Sequence, residues 1–490
     1  MSAPGTPWPA GLGVRLDPAT TILRSGEVLF GGQEGRAVRL SEVGAAVVAD
    51  LFSRASSCDG RTAVATDDDP PAARSLLRRL VVAGLAHPTA PIMDDAADRL
   101  TVVVPVKERA AELERCLTAL HGHQVVVVDD GSDAAAAIAE VCRRHRARLI
   151  RLSDNYGPAA ARNAGLAVVQ TPLVAFVDSD VEVGVGWSAR LVGHFEDPAL
   201  ALVAPRMVAA LPETGSVLSR YSAARFALDM GTEPATVTPY GRVGYLPSAT
   251  MVARVDALAD IPVGPGGGPF DPLLRCGEDV DLVWRLLDAG HVVRYDPAVR
   301  CEHNEPPTWS GILRRRRIYG TSVAPLAERH PEHVAHLRAS PVAATAVGAL
   351  ALGRPVVGAA VALMSILRLG RRLHPLGITR GQAATLVGRS IVGGAVGLMR
   401  AATMLGWPAL AALAGTSWRR RIGVGLVVLG PPLLEWVERR PAVDPIRWTI
   451  ASLADDLAYG SGVVSSSWRL RTARAFLPRL SGRRRTTSRT

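Results

Sequence analysis

The middle of this 490-residue chain predicts an α/β fold built on a doubly wound, mostly parallel sheet. Three observations carry that reading. Short apolar runs alternate with stretches of helical period 10 to 15 residues long, the pattern of parallel strands joined by right-handed crossovers. Two of those runs stop abruptly at acids: 125–128 at Asp129-Asp130, and 173–177 at Asp178-Ser179-Asp180. Ligands of an open α/β sheet sit at the carboxyl ends of its strands, so both acidic pairs fall on the binding edge. A small unit precedes this fold and an apolar helical region follows it.

Residues 1–92 read as the first unit, with short strands at 13–16, 22–23 and 27–30. Val43, Val47, Val48 and Leu51 recur at helical period, as do Leu76, Leu77, Leu80 and Val81 before Gly84 and a strand at 85–87. The Pro, Ala and Asp content of 87–98 marks a linker. The second unit, 99–330, opens with a strand at 101–106 and a helix at 109–120 that lines up Leu113, Leu117 and Leu120. A strand from 125, a helix at 133–146 and a strand at 149–152 follow. The helix at 158–169 has Pro158 in its first turn. The stretch 205–247 is less regular, with a helix at 217–228. Beyond it, 277–281 opens a helix with Leu282, Leu286 and Leu287 inward, followed by a strand at 292–295. The glycine-rich 264–268 suits a mobile loop but lacks the Lys and Ser/Thr of a phosphate cradle.

Composition narrows the partners. The net charge is +11, carried by arginine apart from Lys107, and favours anionic ligands or surfaces. Aromatic residues make up only 5% of the chain, too few for the stacking platforms that bind single-stranded nucleic acid, so no nucleic-acid partner is expected. Five scattered cysteines without Cys-x-x-Cys or zinc spacing suit reduced thiols in a cytoplasmic compartment. No basic-then-apolar signal segment opens the sequence.

The acids then suggest chemistry. Asp178 and Asp180 flank one residue at a strand end, a pair of hard oxygen ligands for a divalent cation shared with a substrate's phosphates. Asp129 and Asp130 can accept hydrogen bonds from a base or a ribose hydroxyl. Arg162, in the first turns of a helix, makes an anion site. Asp and Glu also serve as turn and cap residues; what favours the functional reading is the order in which these groups occur.

That ordered set, "TVVVPVKERAAELERCLTAL", "VVVVDDGS", "GPAAARNAGL", "VAFVDSD" and "GEDVDLVWRL", resembles the successive motifs of family 2 glycosyltransferases with the GT-A fold. The resemblance covers about 100–325. It implies that Asp130 reads the uracil or ribose of a UDP-sugar, with Pro105, Asp129, Arg162, Asp178 and Arg317 also on the donor. It implies Mg²⁺ or Mn²⁺ on Asp178 and Asp180, with His303 as third ligand. Inverting transfer needs one carboxylate to take the acceptor hydroxyl's proton; the family places that base at Asp279, with Glu278 orienting the acceptor. Processive relatives carry Gln-x-x-Arg-Trp near Arg314 to Arg317, and this chain does not.

The first unit, ending in "LLRRLVVAGLAHP", resembles winged-helix-like peptide-binding domains of the PqqD type. From 340 to 438 the chain holds ten arginines and two acids among Ala, Gly, Leu and Val. Its apolar segments are short for spanning helices, which need about 20 residues, and flanking arginines suit the cytoplasmic interface. Residues 340–478 therefore read as a membrane-associated helical region, and 479–490 as a disordered basic tail. The whole order of parts resembles transferases that glucosylate a peptide-derived redox cofactor or its precursor, implying UDP-glucose as donor and a β-linked oligoglucoside as product. Three rivals remain open: sugar transfer to a polyprenyl phosphate, a peptide-binding scaffold, and nucleotidyl transfer. The last would want a Gly-rich loop where Pro105-Val106-Lys107-Glu108-Arg109 stands.

Overall fold

The computed structural model describes residues 7–33, 35–54, 61–210, 215–264, 267–334, 338–339, 341–374, 379–477 and 479–480. The basic tail from 481 and the centre of the glycine-rich 264–268 stretch lie outside the described residues. The chain divides into two compact units, 1–211 with 225–305, and 212–224 with 306–490.

The first unit begins with β1 (Gly13–Leu16), β2 (Thr21–Leu23), β3 (Val28–Gly31), β4 (Arg36–Arg39), α1 (Glu42–Ser53), β5 (Thr62–Val64), α2 (Pro71–Val82) and β6 (Ala86–Thr89). They form two three-stranded sheets, β5-β1-β6 and β2-β3-β4, around Trp8, Leu29, Val48, Phe52, Leu77 and Leu80. Ser41 caps α1, its Oγ accepting from Gly44 N at 3.1 Å. Val43, grouped with the inward residues on periodicity, is exposed. The buried face is centred on Val48, and five residues at about 100° each turn Val43 well away from it.

A nine-stranded sheet follows, built from β7 (Leu100–Val106), β8 (Gln124–Asp129), β9 (Arg148–Arg151), β10 (Leu173–Val177), β11 (Val181–Val183), β12 (Leu200–Ala209), β13 (Ala235–Thr236), β14 (Thr250–Arg254) and β15 (Val292–His303). Its helices are α3 (Ala110–Ala119), α4 (Ala135–Arg144), α5 (Pro158–Leu166), α6 (Trp187–Gly193), α8 (Val255–Asp260) and α9 (Glu278–Asp288); α7 (Val217–Ala224), between β12 and β13, belongs to the second unit. The order is β11-β15-β12-β14-β10-β7-β8-β9, with β13 on β15. The pairs β7/β8, β8/β9, β7/β10 and β12/β15 are parallel, whereas β14 runs antiparallel to both β10 and β12. Strands β7 and β10 are buried along their whole length, which is why they read as unbroken apolar runs. The supposedly irregular stretch from 205 is in part β12, which runs through Pro205 with a register shift beside it. The helix expected at 217–228 stops at Ala224.

The expected linker is a seam, not a tether. Met93 N donates to Ala189 O at 3.0 Å, and Ala96 is buried in the core of the large sheet. Three polar contacts fasten the small sheets to the large one. Gln33 clamps the backbone of Thr236, donating to its carbonyl (2.8 Å) and accepting from its N–H (3.0 Å). Arg242 and His87 both meet Asp17. Arg78 and Arg294 close on the buried carboxylate of Asp197.

The second unit adds α10 (Trp309–Thr321), α11 (Val323–Arg329), α12 (Pro341–Ala351), α13 (Pro355–Leu373), α14 (Arg380–Ala414), α15 (Trp418–Arg439) and α16 (Pro445–Arg469). The segment Asp455 to Gly462, whose role the sequence does not disclose, is a helix–helix seam. A Cβ on Gly462 would lie 2.1 Å from Arg317 O, and one on Gly460 would lie 2.3 Å from Met404 O, so α10 and α14 both cross α16 at backbone distance. Ile391–Ala414 is, among the described residues, one helix stretch long and apolar enough to cross a membrane.

Candidate active site

The site is built where β10 ends. Asp178 follows its last residue, and Asp178 N donates to Ala249 O at 2.9 Å. The chain then turns into β11, whose Val181 pairs with His303 at the end of β15. That register carries His303 from 123 residues downstream to the Asp-Ser-Asp turn. Asn304 N donates to Asp180 O at 3.1 Å, fixing the same join. Asp178, Asp180 and His303 each present one ligand atom within 4.8 Å of the others. His303 Nε2 lies 3.5 Å from Asp180 Oδ1, and its buried Nδ1 has no hydrogen-bond partner.

Two guanidiniums hold the aspartates. Arg109, at the start of α3, pairs with Asp180 Oδ2, and Arg162 donates to Asp178 Oδ1 at 2.7 Å. Each carboxylate thus keeps one oxygen clear of guanidinium contact. Two such oxygens and an imidazole nitrogen fit a divalent cation of the Mg²⁺ or Mn²⁺ kind. The fit extends to charge: among the described residues two guanidiniums, those of Arg109 and Arg162, pair with this group of four acids, Asp178, Asp180, Glu278 and Asp279, leaving two negative charges when all four are ionised.

Arg162 also ties this cluster to the second pair of acids. Its side chain is buried, and its other terminal nitrogen donates to Glu278 Oε1 at 2.7 Å. Both of its acceptors are protein carboxylates, so as described it neutralises acids within the site. Glu278 and Asp279 open α9 after Gly277, where free backbone N–H groups favour carboxylates. Asp279 Oδ2 accepts from Ser248 N (2.9 Å) and Ser248 Oγ (3.3 Å). Burial raises the Asp279 carboxyl above its ordinary value, Asp178 adding to the rise and hydrogen bonds and Arg162 opposing it. Burial raises Glu278 as well, with the Asp279 charge adding and Arg162 opposing.

A carboxylate that serves as general base must be ionised to work, so for Asp279 in the role the family resemblance implies, lowering the pH through its raised value removes activity. Transfer is therefore expected to fall on the acid side with a midpoint above the ordinary aspartate value of about 3.9. A kcat/KM profile from neutral pH downward checks this, and a limb at the ordinary value would contradict it.

Other residues singled out on the sequence take quieter places. Asp130 accepts from Tyr156 N (2.8 Å) and Gly157 N (2.9 Å), holding the turn into α5. Asp129 accepts from Ser132 N (3.0 Å) and pairs with Arg151 (3.2 Å). Gly131 between these loops has φ +66°, and a Cβ there would strike the Asp154–Asn155 peptide. Pro105 lies near the end of β7, opposite Val128. Arg317 is exposed on α10 of the second unit. Sequence reading passed over Ser248 and the Arg109–Asp180 pair. The antiparallel register Val177↔Thr250 brings Ser248 to the acidic end of β10, and no local pattern discloses that pairing.

Residues 101–261 match the family described as glycosyl transferase family 2. Over 485 residues the chain is 35% identical to Pre-mycofactocin glycosyltransferase of Mycobacterium tuberculosis (strain ATCC 25618 / H37Rv), covering 96% of this chain and 98% of that one. It is also 24% identical over 208 residues to Glycosyltransferase AglE of Haloferax volcanii, covering 40% of this chain and 64% of that one. Among solved structures, the mannosyltransferase PcManGT from Pyrobaculum calidifontis, in complex with GDP-Man and Mn²⁺, aligns at 16% identity and TM-score 0.41, covering 76% of this chain and 87% of that one. The chain belongs to glycosyl transferase family 2, and its large sheet is of the GT-A type. Within that family it groups with the pre-mycofactocin glycosyltransferases, the likeness running through all its parts.

Proposed function

We propose that this glycosyltransferase moves glucose, with inversion, from UDP-glucose to the peptide-derived redox cofactor mycofactocin or its precursor. The observation that carries the chemistry is Asp279, fixed by Ser248 and tied through Glu278 and Arg162 to Asp178. The acceptor is inferred from the full-length likeness to the mycobacterial enzyme.

Asp279 takes the acceptor hydroxyl's proton while that oxygen bonds to the anomeric carbon. The bond from that carbon to UDP breaks on the opposite face, and UDP leaves with the electron pair. Glu278 orients the acceptor from the next position, its charge balanced by Arg162. Asp178, Asp180 and His303 would hold Mg²⁺ or Mn²⁺, which when bound stabilises the negative charge of the departing diphosphate. Asp130, Asp129 and Pro105 border the nucleotide from the ends of β8 and β7, and Arg317 is proposed to contact the donor diphosphate. The small N-terminal sheets hold the peptide-derived part of the acceptor, and the helical unit keeps the enzyme at the cytoplasmic side of the membrane.

Incubation with UDP-sugars and Mn²⁺, following UDP release and hexose additions to the cofactor by mass spectrometry, tests the reading. Glucose added to a polyprenyl phosphate instead would favour the rival acceptor, which the apolar helices also suit. Asp180→Asn is expected to weaken Mn²⁺-dependent UDP binding by about 10-fold or more and to leave metal-free UDP binding unchanged. Titration calorimetry with and without chelator measures both.

A further inference from the structure

The helical unit is built inside out, and we propose that α14, α15 and α16 turn their exposed faces to the hydrocarbon of a lipid bilayer. This rests on the membrane reading above and deepens it, naming the faces that enter and how far they reach.

On α15 every exposed residue between Arg421 and Glu438 is apolar: Ile422, Leu426, Leu429, Leu433, Leu434 and Val437. Spacings of mostly three or four residues make them one stripe along the helix. At 1.5 Å per residue it runs about 23 Å. On α16 the exposed residues between Arg447 and Arg469 are Ile450, Leu457, Ser461, Val464 and Trp468, a stripe of about 27 Å with one hydroxyl in it. From Ile391 to Ala414, α14 exposes no charged residue.

Between the ends of these stripes the charges lie on the inward side. Arg400 of α14 pairs with the buried Glu435 of α15. Arg316 of α10 donates to the buried Asp455 of α16 at 2.6 Å, and the Tyr221 hydroxyl reaches the same carboxylate at 3.3 Å. Ser452, Ser466 and Ser467 are buried too. A helix bundle in water arranges itself the other way, with charge outside and apolar residues within. Ionisable groups paired with one another and facing the bundle interior are what a hydrocarbon surround requires.

The ends fit as well. Exposed arginines close both stripes, Arg419 and Arg421 before Ile422, Arg439 and Arg440 after Val437, and Arg447 and Arg469 around α16. They complement anionic headgroups on either side of a core about 30 Å thick. Trp418 and Trp468 are exposed at helix ends, the depth at which indole rings settle.

Photolabelling tests the assignment. The full chain is reconstituted in phosphatidylcholine–phosphatidylglycerol vesicles carrying a diazirine phospholipid, irradiated, and mapped by peptide mass spectrometry. Label is expected on Leu426, Leu433, Ile450 and Leu457 and not on Val427 or Ser452, with the protein resisting alkaline carbonate. Leu429→Glu is expected to lower the carbonate-resistant fraction by about tenfold or more. A chain that binds the vesicles but is released by carbonate, labelled only around 418–421, would overturn the embedding and leave membrane association standing. Exposed stripes shielded from label by a second copy of the chain would also overturn it. No binding to the vesicles at all would remove both readings.

Discussion

Asp279→Asn is expected to lower kcat by about 10²- to 10⁴-fold, the usual contribution of a positioned general base. The amide keeps the shape of the carboxylate and can still accept from Ser248, whose N–H and hydroxyl hold Asp279 Oδ2 now. What it cannot do is take a proton from the acceptor. UDP and metal binding should be unchanged, because Asp178, Asp180 and His303 are untouched. The split matters more than the loss. Ser248→Ala removes the hydroxyl contact but keeps the backbone N–H bond that lowers the Asp279 value, so its kcat should fall less and its acid limb should stay where it is. Stopped-flow UDP release and equilibrium UDP binding on the same preparations separate these cases. Asp279→Asn with wild-type turnover would remove Asp279 from the chemistry.

The parts of this site legible in the sequence are those where one strand carries its own signal. Strands β7, β8 and β10 are continuous apolar runs because both faces of the sheet are covered, and the runs of β8 and β10 end where their acids begin. The Asp178–Asp180 turn is therefore visible in local pattern, but its functional reading rests on the order of the motifs, and that of the opening of α9 on the family resemblance. Pairings between distant strands leave no such local mark. Strand β12 was hidden by Pro205, which breaks a strand pattern on paper yet sits at a register shift in the sheet. The short β14 carries Ser248 to Asp279 only because it runs antiparallel to β10. The seam between the small and large sheets was invisible for a related reason. Asp17 and Asp197 look like ordinary loop acids, and only the fold brings arginines to them from 225 and 97 residues away.

That seam carries the second large effect, because Asp197→Ala is expected to destabilise the first unit by about 3–5 kcal/mol, the cost of breaking a buried ion pair from one side. Arg78 donates to both oxygens of Asp197, at 2.7 and 2.9 Å, and Arg294 reaches one of the same oxygens. All three residues are buried, and Trp8 lies against both guanidiniums, 4.7 Å from Arg78 and 5.5 Å from Arg294. Burial alone would push the Asp197 carboxyl up, but Arg294 and Arg78 overcome it and hold the group at about 2. Removing the anion strands two cations in a site with no other carboxylate described against them. Arg78 Nε, Arg294 Nε and Arg294 Nη1 already lack an acceptor. The sign with pH follows from the lowered value: the contribution is full above the unfolded value of about 3.9 and is lost as pH falls toward 2. Urea unfolding across that range should show the wild type losing its advantage over Asp197→Ala in acid. Replacing Arg78, Asp197 and Arg294 together by apolar residues of similar size should recover much of the loss, since the penalty lies in an unmatched charge more than in a missing attraction. Equal stability of the single and triple variants would mean that the cluster holds the seam by attraction after all.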